Sequence, residues 1–243
     1  MHTSRLALIA FVVADVALLL FVGPPLLVQV GVLTSKAGFP AFMLGGLLGL
    51  LALLLGLVAL YATRPATGRS GRGLALVATL AGAGVVAVVV VAAGPSAGLP
   101  PINDITTDPD NPPQFSALLR EGPNAGRDMG YPGEAFAAQQ RAGYPDLAPI
   151  DVPTTVVDTF ERTKRAMEGF GWEIVYADAE TGRIEATDTS RLWRFVDDIV
   201  VRIRPRAAGS RVDVRSKSRE GRGDLGANAA RIRRLREALQ ESR

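Results

Sequence analysis

Between Leu6 and Pro95 the sequence carries only five acidic or basic residues, Asp15, Lys36, Arg64, Arg69 and Arg72, and three long apolar runs lie among them. A run of ~20 apolar residues crosses a ~30 Å hydrocarbon core as a helix, which satisfies its own backbone hydrogen bonds where no water can. The rest of the chain is densely charged. The sequence therefore divides between two solvents, a transmembrane domain over residues 1–95 and a soluble part after it.

The first run, LALIAFVVADVALLLFV, is followed by Gly23-Pro24-Pro25 and stays apolar to Leu33. It predicts a span over about 6–30, kinked or tilted near the prolines. It is too long for the apolar region of a cleaved signal peptide, and no small-x-small cleavage site follows it. The second span is expected over about 41–61 and the third over about 73–93, neither with a charge. Gly45 and Gly49 are four apart, as are Ala78 and Gly82, the spacing that lets two helix backbones approach closely. The competing reading is that glycine and alanine are simply frequent in such helices.

Positive residues favour the cytoplasmic side. Arg5 precedes the first span and Arg64, Arg69 and Arg72 crowd the second loop, against Lys36 alone in the first. The expected arrangement is a multi-pass protein of the inner (plasma) membrane with a cytoplasmic N-terminus. Three crossings then place residues 96–243 outside, in the periplasm of a bacterial cell or on the outer face of its membrane. Asp15 stands about ten residues into the first span, where an acid is costly and usually faces a partner or a watery cavity. It is the candidate intramembrane polar contact, to another subunit, a proton or a polar ligand. The alternative is a protonated carboxyl bonded to a backbone carbonyl or to Thr79.

Composition removes much familiar chemistry. With no cysteine there is no disulfide, thiolate metal site or cysteine nucleophile, and the one histidine, His2, adjoins the initiator methionine. No HExxH motif or Ser/His/Asp triad exists, so no metal, cofactor or catalytic residue is assigned. The sequence pI of about 9.6 does not signal nucleic acid, since residues 96–243 hold 22 basic and 23 acidic residues, a net of −1. Residues 96–182 carry a net of −8 and 183–243 a net of +7. The two halves are expected to pair with each other; the alternative is a basic face against anionic lipid headgroups.

Residues 96–152 read as an extended linker and irregular wrapping segment, rich in proline, aspartate and asparagine at its start, with a short helix around 133–142. Asp104, Asp108 and Asp110 are expected to form turns, since the residue order of an EF-hand is missing. Tyr131 and Tyr144, each before a proline, are expected to anchor this segment by packing. From 153 the pattern sharpens. Val156, Phe160, Thr163, Met167 and Phe170 recur at helical spacing, four β-type runs follow, and Leu225, Ala229, Ile232, Leu235 and Leu239 form a last stripe. The expectation is an α+β domain over 153–243, α-β-β-β-β-α, with a four-stranded, mainly antiparallel sheet and both helices on one face. The fold class is thus three transmembrane helices, all-α, followed by an α+β soluble domain. In the last strand Val212 and Val214 point one way, and Arg211, Asp213, Arg215, Lys217 and Arg219 point to what reads as a wet face.

The segment most like a site is RSKSREGRGDLGAN, residues 215–228, where glycines precede a helix N-terminus beside Ser218, Arg219, Arg222 and Gly223. Unpaired N–H groups there hold an anion or a carboxylate, but Asp224 is a good N-cap and would itself occupy them. The adjacent Asp197 and Asp198 should point to opposite faces of a strand, a poor acid/base pair, and the one that faces inward should pair inside the domain, with Arg202 or Arg215 the expected partner.

INDITTD at 102–108, GWEIV at 171–175, GRIEATDTS at 182–190, RFVDDIVVRI at 194–203 and VRSKSREGRGDLGANAARIR at 214–233 together resemble the uncharacterised family numbered 1499 among the domains of unknown function. The resemblance covers roughly residues 100–240. It implies a family in which some members carry membrane helices ahead of the domain, and it transfers no activity and no catalytic residue. The reading is a membrane-anchored extracytoplasmic domain that binds or assembles without catalysis. Its candidate partners are the lipid bilayer and another membrane protein. A lipid headgroup or small anion at the 215–228 turn is the alternative.

Overall fold

Three helices form the N-terminal part of the chain: α1 (Arg5–Gln29), α2 (Ser35–Ala62) and α3 (Arg72–Ala93). All three are long and apolar enough to cross a membrane; the 25 residues of α1 rise about 38 Å. The computed structural model describes residues 2–241. The chain divides into two compact units, residues 1–97 together with 191–194, and residues 98–190 together with 195–243.

Within the helical unit, the buried residues of α2 are Gly38, Gly45, Gly49, Ala52, Gly56 and Ala59, a stripe of small side chains. Lipid tails are as apolar as leucine, so helices in a bilayer gain little by hiding leucine from them and gain by close backbone approach. A Cβ on Gly45 would lie 2.6 Å from the Phe21 nitrogen of α1. One on Gly56 would lie 2.8 Å from the Thr79 nitrogen of α3, and one on Gly82 2.5 Å from the Leu53 nitrogen of α2. The small-residue spacings noted in the sequence thus join the three helices of one chain to each other. α2 begins before the expected position 41 because the Thr34 hydroxyl caps it, accepting from Ala37 N at 3.3 Å.

The second unit is built on a six-stranded antiparallel sheet, where four strands were expected. The four are present as β3 (Glu173–Asp178), β4 (Arg183–Thr189), β5 (Val196–Arg206) and β6 (Gly209–Ser218), flanked by α5 (Val156–Gly169) and α6 (Ala227–Glu241). The additional two come from the supposed linker: β1 (Asp104–Thr106) and β2 (Ile150–Val152) both pair with β6 along its outer edge. Three-residue strands carry too little alternation to be read from sequence, and proline and aspartate on either side mask them. Between β1 and β2 lies α4 (Glu134–Gly143), close to the expected short helix.

Ile184, Ala186, Ile199, Val201, Ile203, Val212 and Val214 of the sheet form one core with Phe160 and Met167 of α5 and Ile232, Leu235 and Leu239 of α6. The opposite sheet face is not wet, as the sequence suggested. Phe115, Leu118 and Met129 from the stretch after β1 pack on Val200 of that face, and Asp213 and Arg215 are 0% exposed. The alternation along β6 was read correctly; the cover came from a segment with no periodic pattern.

Candidate functional site

The charged face of the sheet is where ionisable residues gather. On β6, Arg215 donates from Nε and Nη2 to the two oxygens of Asp104 on β1, at 2.8 and 2.7 Å, and Lys217 reaches the same carboxylate at 2.9 Å. Arg215 also donates to the carbonyls of Pro113 and Met129, with its guanidinium 4.9 Å from the Phe115 ring centre. One row along, Asp213 receives Arg202, Arg204 and Arg211 at 2.7 to 2.9 Å, and Arg211 also pairs with Asp108 at 2.7 Å. On β5, Asp198 receives Arg219 at 2.7 Å and Arg127 at 3.0 Å. On β4, buried Glu185 accepts from the Ser116 and Leu118 backbone nitrogens, from the Ser116 hydroxyl and from Arg183. Each of these carboxylates is held by several donors at once, the arrangement that makes burial of a charge tolerable.

Asp197 and Asp198 do point to opposite faces. Asp197 faces α6 and pairs with Arg231 at 2.7 Å, so the partners of the two are Arg231, Arg219 and Arg127, not Arg202 or Arg215. Those two arginines are closer to carboxylates that the sequence reading gave to turns or left unassigned. Arg231 also binds Asp188 and donates to the Ser216 hydroxyl and the Asn228 side-chain carbonyl at 3.0 and 2.7 Å.

The 215–228 turn is tied into the same assembly. Asp224 accepts from Gly226 N at 2.9 Å and Asn228 N at 2.7 Å, so a carboxylate of the chain itself occupies the start of α6. Burial pushes its pKa up, and those backbone donors act against the rise. Ser218 is buried; its nitrogen donates to the Asn103 carbonyl and its hydroxyl accepts from Asn228 at 2.9 Å. Arg219 is committed to Asp198. Arg222 and Gly223 are exposed, and a Cβ on Gly223 would come within 3.1 Å of Pro101. Of the four residues read as a ligand site, two therefore lie inside ion-pair and hydrogen-bond networks and two lie on the surface beside them.

The acids of the first segment divide as well. Asp108 forms the expected turn, accepting from Asn111 N at 3.1 Å, and Asp110 pairs with Arg141, whereas Asp104 lies in a strand. Both tyrosines pack. Tyr144 is in the core with its hydroxyl near Gly226, and burial raises its pKa, with Asp224 adding to the rise. Tyr131 stands edge-on to Phe136; burial first and Asp104 second push it up to about 12. Beside them Gln140 pairs with the Thr106 backbone, accepting from its nitrogen at 2.9 Å and donating to its carbonyl at 2.6 Å, so α4 extends β1 by a side chain that imitates a strand. A shallow cleft of about 290 Å³ opens here, with Thr107, Gln140, Arg141, Tyr144 and Pro149 in its wall.

Asp15 is exposed on the surface of the helical unit. Thr79 is not its partner: that hydroxyl donates to Ala75 O at 2.8 Å in the junction with Gly56.

Sequence reasoning missed Arg127, Glu185, Asp104 and Arg231. The only signal was charge segregation; it fits pairs between the halves such as Asp104 with Arg215, whereas Asp213, Asp197 and Glu185 find arginines within residues 183–243. No curated protein matches the sequence. Residues 104–239, more than half of the chain and β1 through most of α6, match the family described as Protein of unknown function (DUF1499), and the chain belongs to this family.

Proposed function

We propose that the protein is a non-catalytic binding or assembly subunit of the cell envelope, held in the membrane by α1–α3, with residues 98–243 on the extracytoplasmic side. The observation that supports this reading is the closure of the domain's buried charges on one another. Asp104, Glu185, Asp198 and Asp213 are each fully buried and each engaged by several donors, whereas a general acid or base must reach a substrate proton. Charge networks of this kind hold a surface in one shape for a partner. The sidedness rests on Arg5, Arg64, Arg69 and Arg72 at one end of the helices against Lys36 at the other. The anion reading retains only Arg222 and the backbone around Gly223 as accessible groups, and is the weaker of the two.

Native mass spectrometry of the full-length protein, gently extracted from its own membrane, tests the assembly. A retained polypeptide is the expected outcome; a bare monomer, or a monomer holding only a lipid or small anion, overturns it. The absence of cysteine makes the sidedness equally direct. A membrane-impermeant maleimide should label Arg222→Cys in intact cells and leave Thr67→Cys, between α2 and α3, unlabelled; the reverse pattern puts the domain inside.

A further inference from the structure

The buried residues of α1 are Ala7, Ala10, Ala14, Ala17, Phe21, Pro24 and Val28, spaced alternately three and four apart and turned toward the other two helices. On the opposite side runs a second row with the same alternation: Leu8, Val12, Asp15, Leu19, Val22 and Leu26. Its five apolar members are each about half exposed or more, and Asp15 is exposed with them. Apart from Lys36, Tyr61 and Arg72 near their ends, the large exposed side chains of α2 and α3, such as Leu47, Leu54, Leu80 and Val88, are apolar. Asp15 lies ten residues after Arg5, about 15 Å along the helix, and so at mid-membrane depth. Among the described residues nothing donates to it, and the basic residues of the helices, Arg5, Lys36 and Arg72, stand at their ends.

A strip meant only for lipid has no use for a carboxyl at its centre, because an ionisable group there needs a partner. A row repeating every 3.5 residues with one polar position is instead the pattern of a two-helix seam, in which the polar residue sets register and partner number. We propose that α1 pairs in parallel with α1 of a second copy of this chain along the row from Leu8 to Leu26. The two Asp15 carboxyl groups meet on the two-fold axis and hydrogen-bond to each other. The second copy is favoured over any other helix because it brings a hydrogen-bonding group to the required depth by symmetry: both chains share one topology, so both Asp15 side chains lie at the same level. The pairing deepens the assembly reading and rests on the helices spanning a bilayer.

The cysteine-free full-length chain permits a clean test in its own membranes. Val12→Cys and Leu19→Cys, on the row, should form disulfide-linked dimers on oxidation with a membrane-permeant copper complex. Ile9→Cys and Leu27→Cys, exposed but about 120° around the helix from Asp15, should not. Adding Asp15→Leu should weaken dimerisation by about 3- to 30-fold, whereas Asp15→Asn should retain it, since two amides can pair with each other. Equal cross-linking at all four positions, or none, overturns the proposal. So does loss of the dimer with Asp15→Asn as complete as with Asp15→Leu. Cross-linking to a different polypeptide also overturns it, while leaving the assembly reading intact; a monomer in native mass spectrometry removes both.

Discussion

In the helical unit the side chains that meet are Ala7, Ala10, Ala14, Ala52, Ala59, Ala75 and Ala78, and the one acid, Asp15, is turned outward. In the sheet domain Asp104, Glu185, Asp198, Asp213 and Arg215 are turned inward and are fully buried. The surroundings account for the contrast. Helices in lipid associate through close backbone contact and have no water from which to hide apolar groups. A sheet in water must cover both faces, and a face that carries arginine and aspartate is covered only when each charge finds a partner before water is excluded. Small residues therefore hold the first unit together, where leucines hold most proteins, and ion pairs line a face of the second that would otherwise be wet.

The largest effect expected from disturbing this contrast is at Asp104. Asp104→Ala removes the carboxylate from Arg215, which stays enclosed against the carbonyls of Pro113 and Met129. Breaking a buried pair from one side costs about 3–5 kcal/mol. Asp110→Ala removes the same type of partner from Arg141, but that pair is open to solvent and Arg141 keeps Glu134, so stability should be nearly unchanged. Denaturant unfolding of both variants in detergent, followed by the fluorescence of buried Trp172, measures the difference. Equal losses would mean that burial does not set the strength of these pairs.

The matching disturbance in the helical unit is smaller. Gly45→Ala places a methyl group against the backbone of Leu20 and Phe21, where something must shift, whereas Gly84→Ala meets nothing within 4 Å. Overpacking of this kind costs about 1–3 kcal/mol. Thermal denaturation in detergent should show Gly45→Ala below the parent and Gly84→Ala level with it. If Gly45→Ala is also neutral, the close approach of α1 and α2 is not what holds them together.

These two tests also mark how far the sequence could be read. The spans were legible because hydropathy over twenty residues is a strong signal, and β3 to β6 because their alternation runs for six residues or more. β1 was not legible. Asp104, Ile105 and Thr106 sit in a stretch whose composition belongs to turns, and their strand exists only because β6 offers an unpaired edge. Glu185 and Arg127 were invisible for a related reason. A buried charge is written in sequence like an exposed one, and only the fold shows that Ser116 N and Leu118 N point at Glu185. In the 215–228 turn the sequence placed the helix start near Asp224; the helix begins three residues later, at Ala227, and Asp224 accepts from Gly226 N and Asn228 N ahead of it. The sequence could not show that Ser218 and Arg219 were already engaged by Asn228 and Asp198.

The smallest expected effect concerns the edge of the charged face, where Tyr131 lies over Arg215 at 5.6 Å. Burial and the neighbouring Asp104 keep its phenol protonated up to about 12, against 10.0 when unfolded. Between those values the folded state binds more protons than the unfolded state, so stability falls as pH rises through the window and levels off above it. Tyr144 is shifted in the same direction and adds to the fall. Because Tyr131 is only half-buried, solvent screening reduces its share to about 1 kcal/mol. Tyr131→Phe should leave stability at neutral pH nearly unchanged and make the alkaline decline shallower by that amount, as read by denaturant midpoints across the window. An unchanged decline would place the alkaline sensitivity elsewhere and would mean that the charged face is better hydrated at this edge than the enclosure of Asp104 and Arg215 indicates.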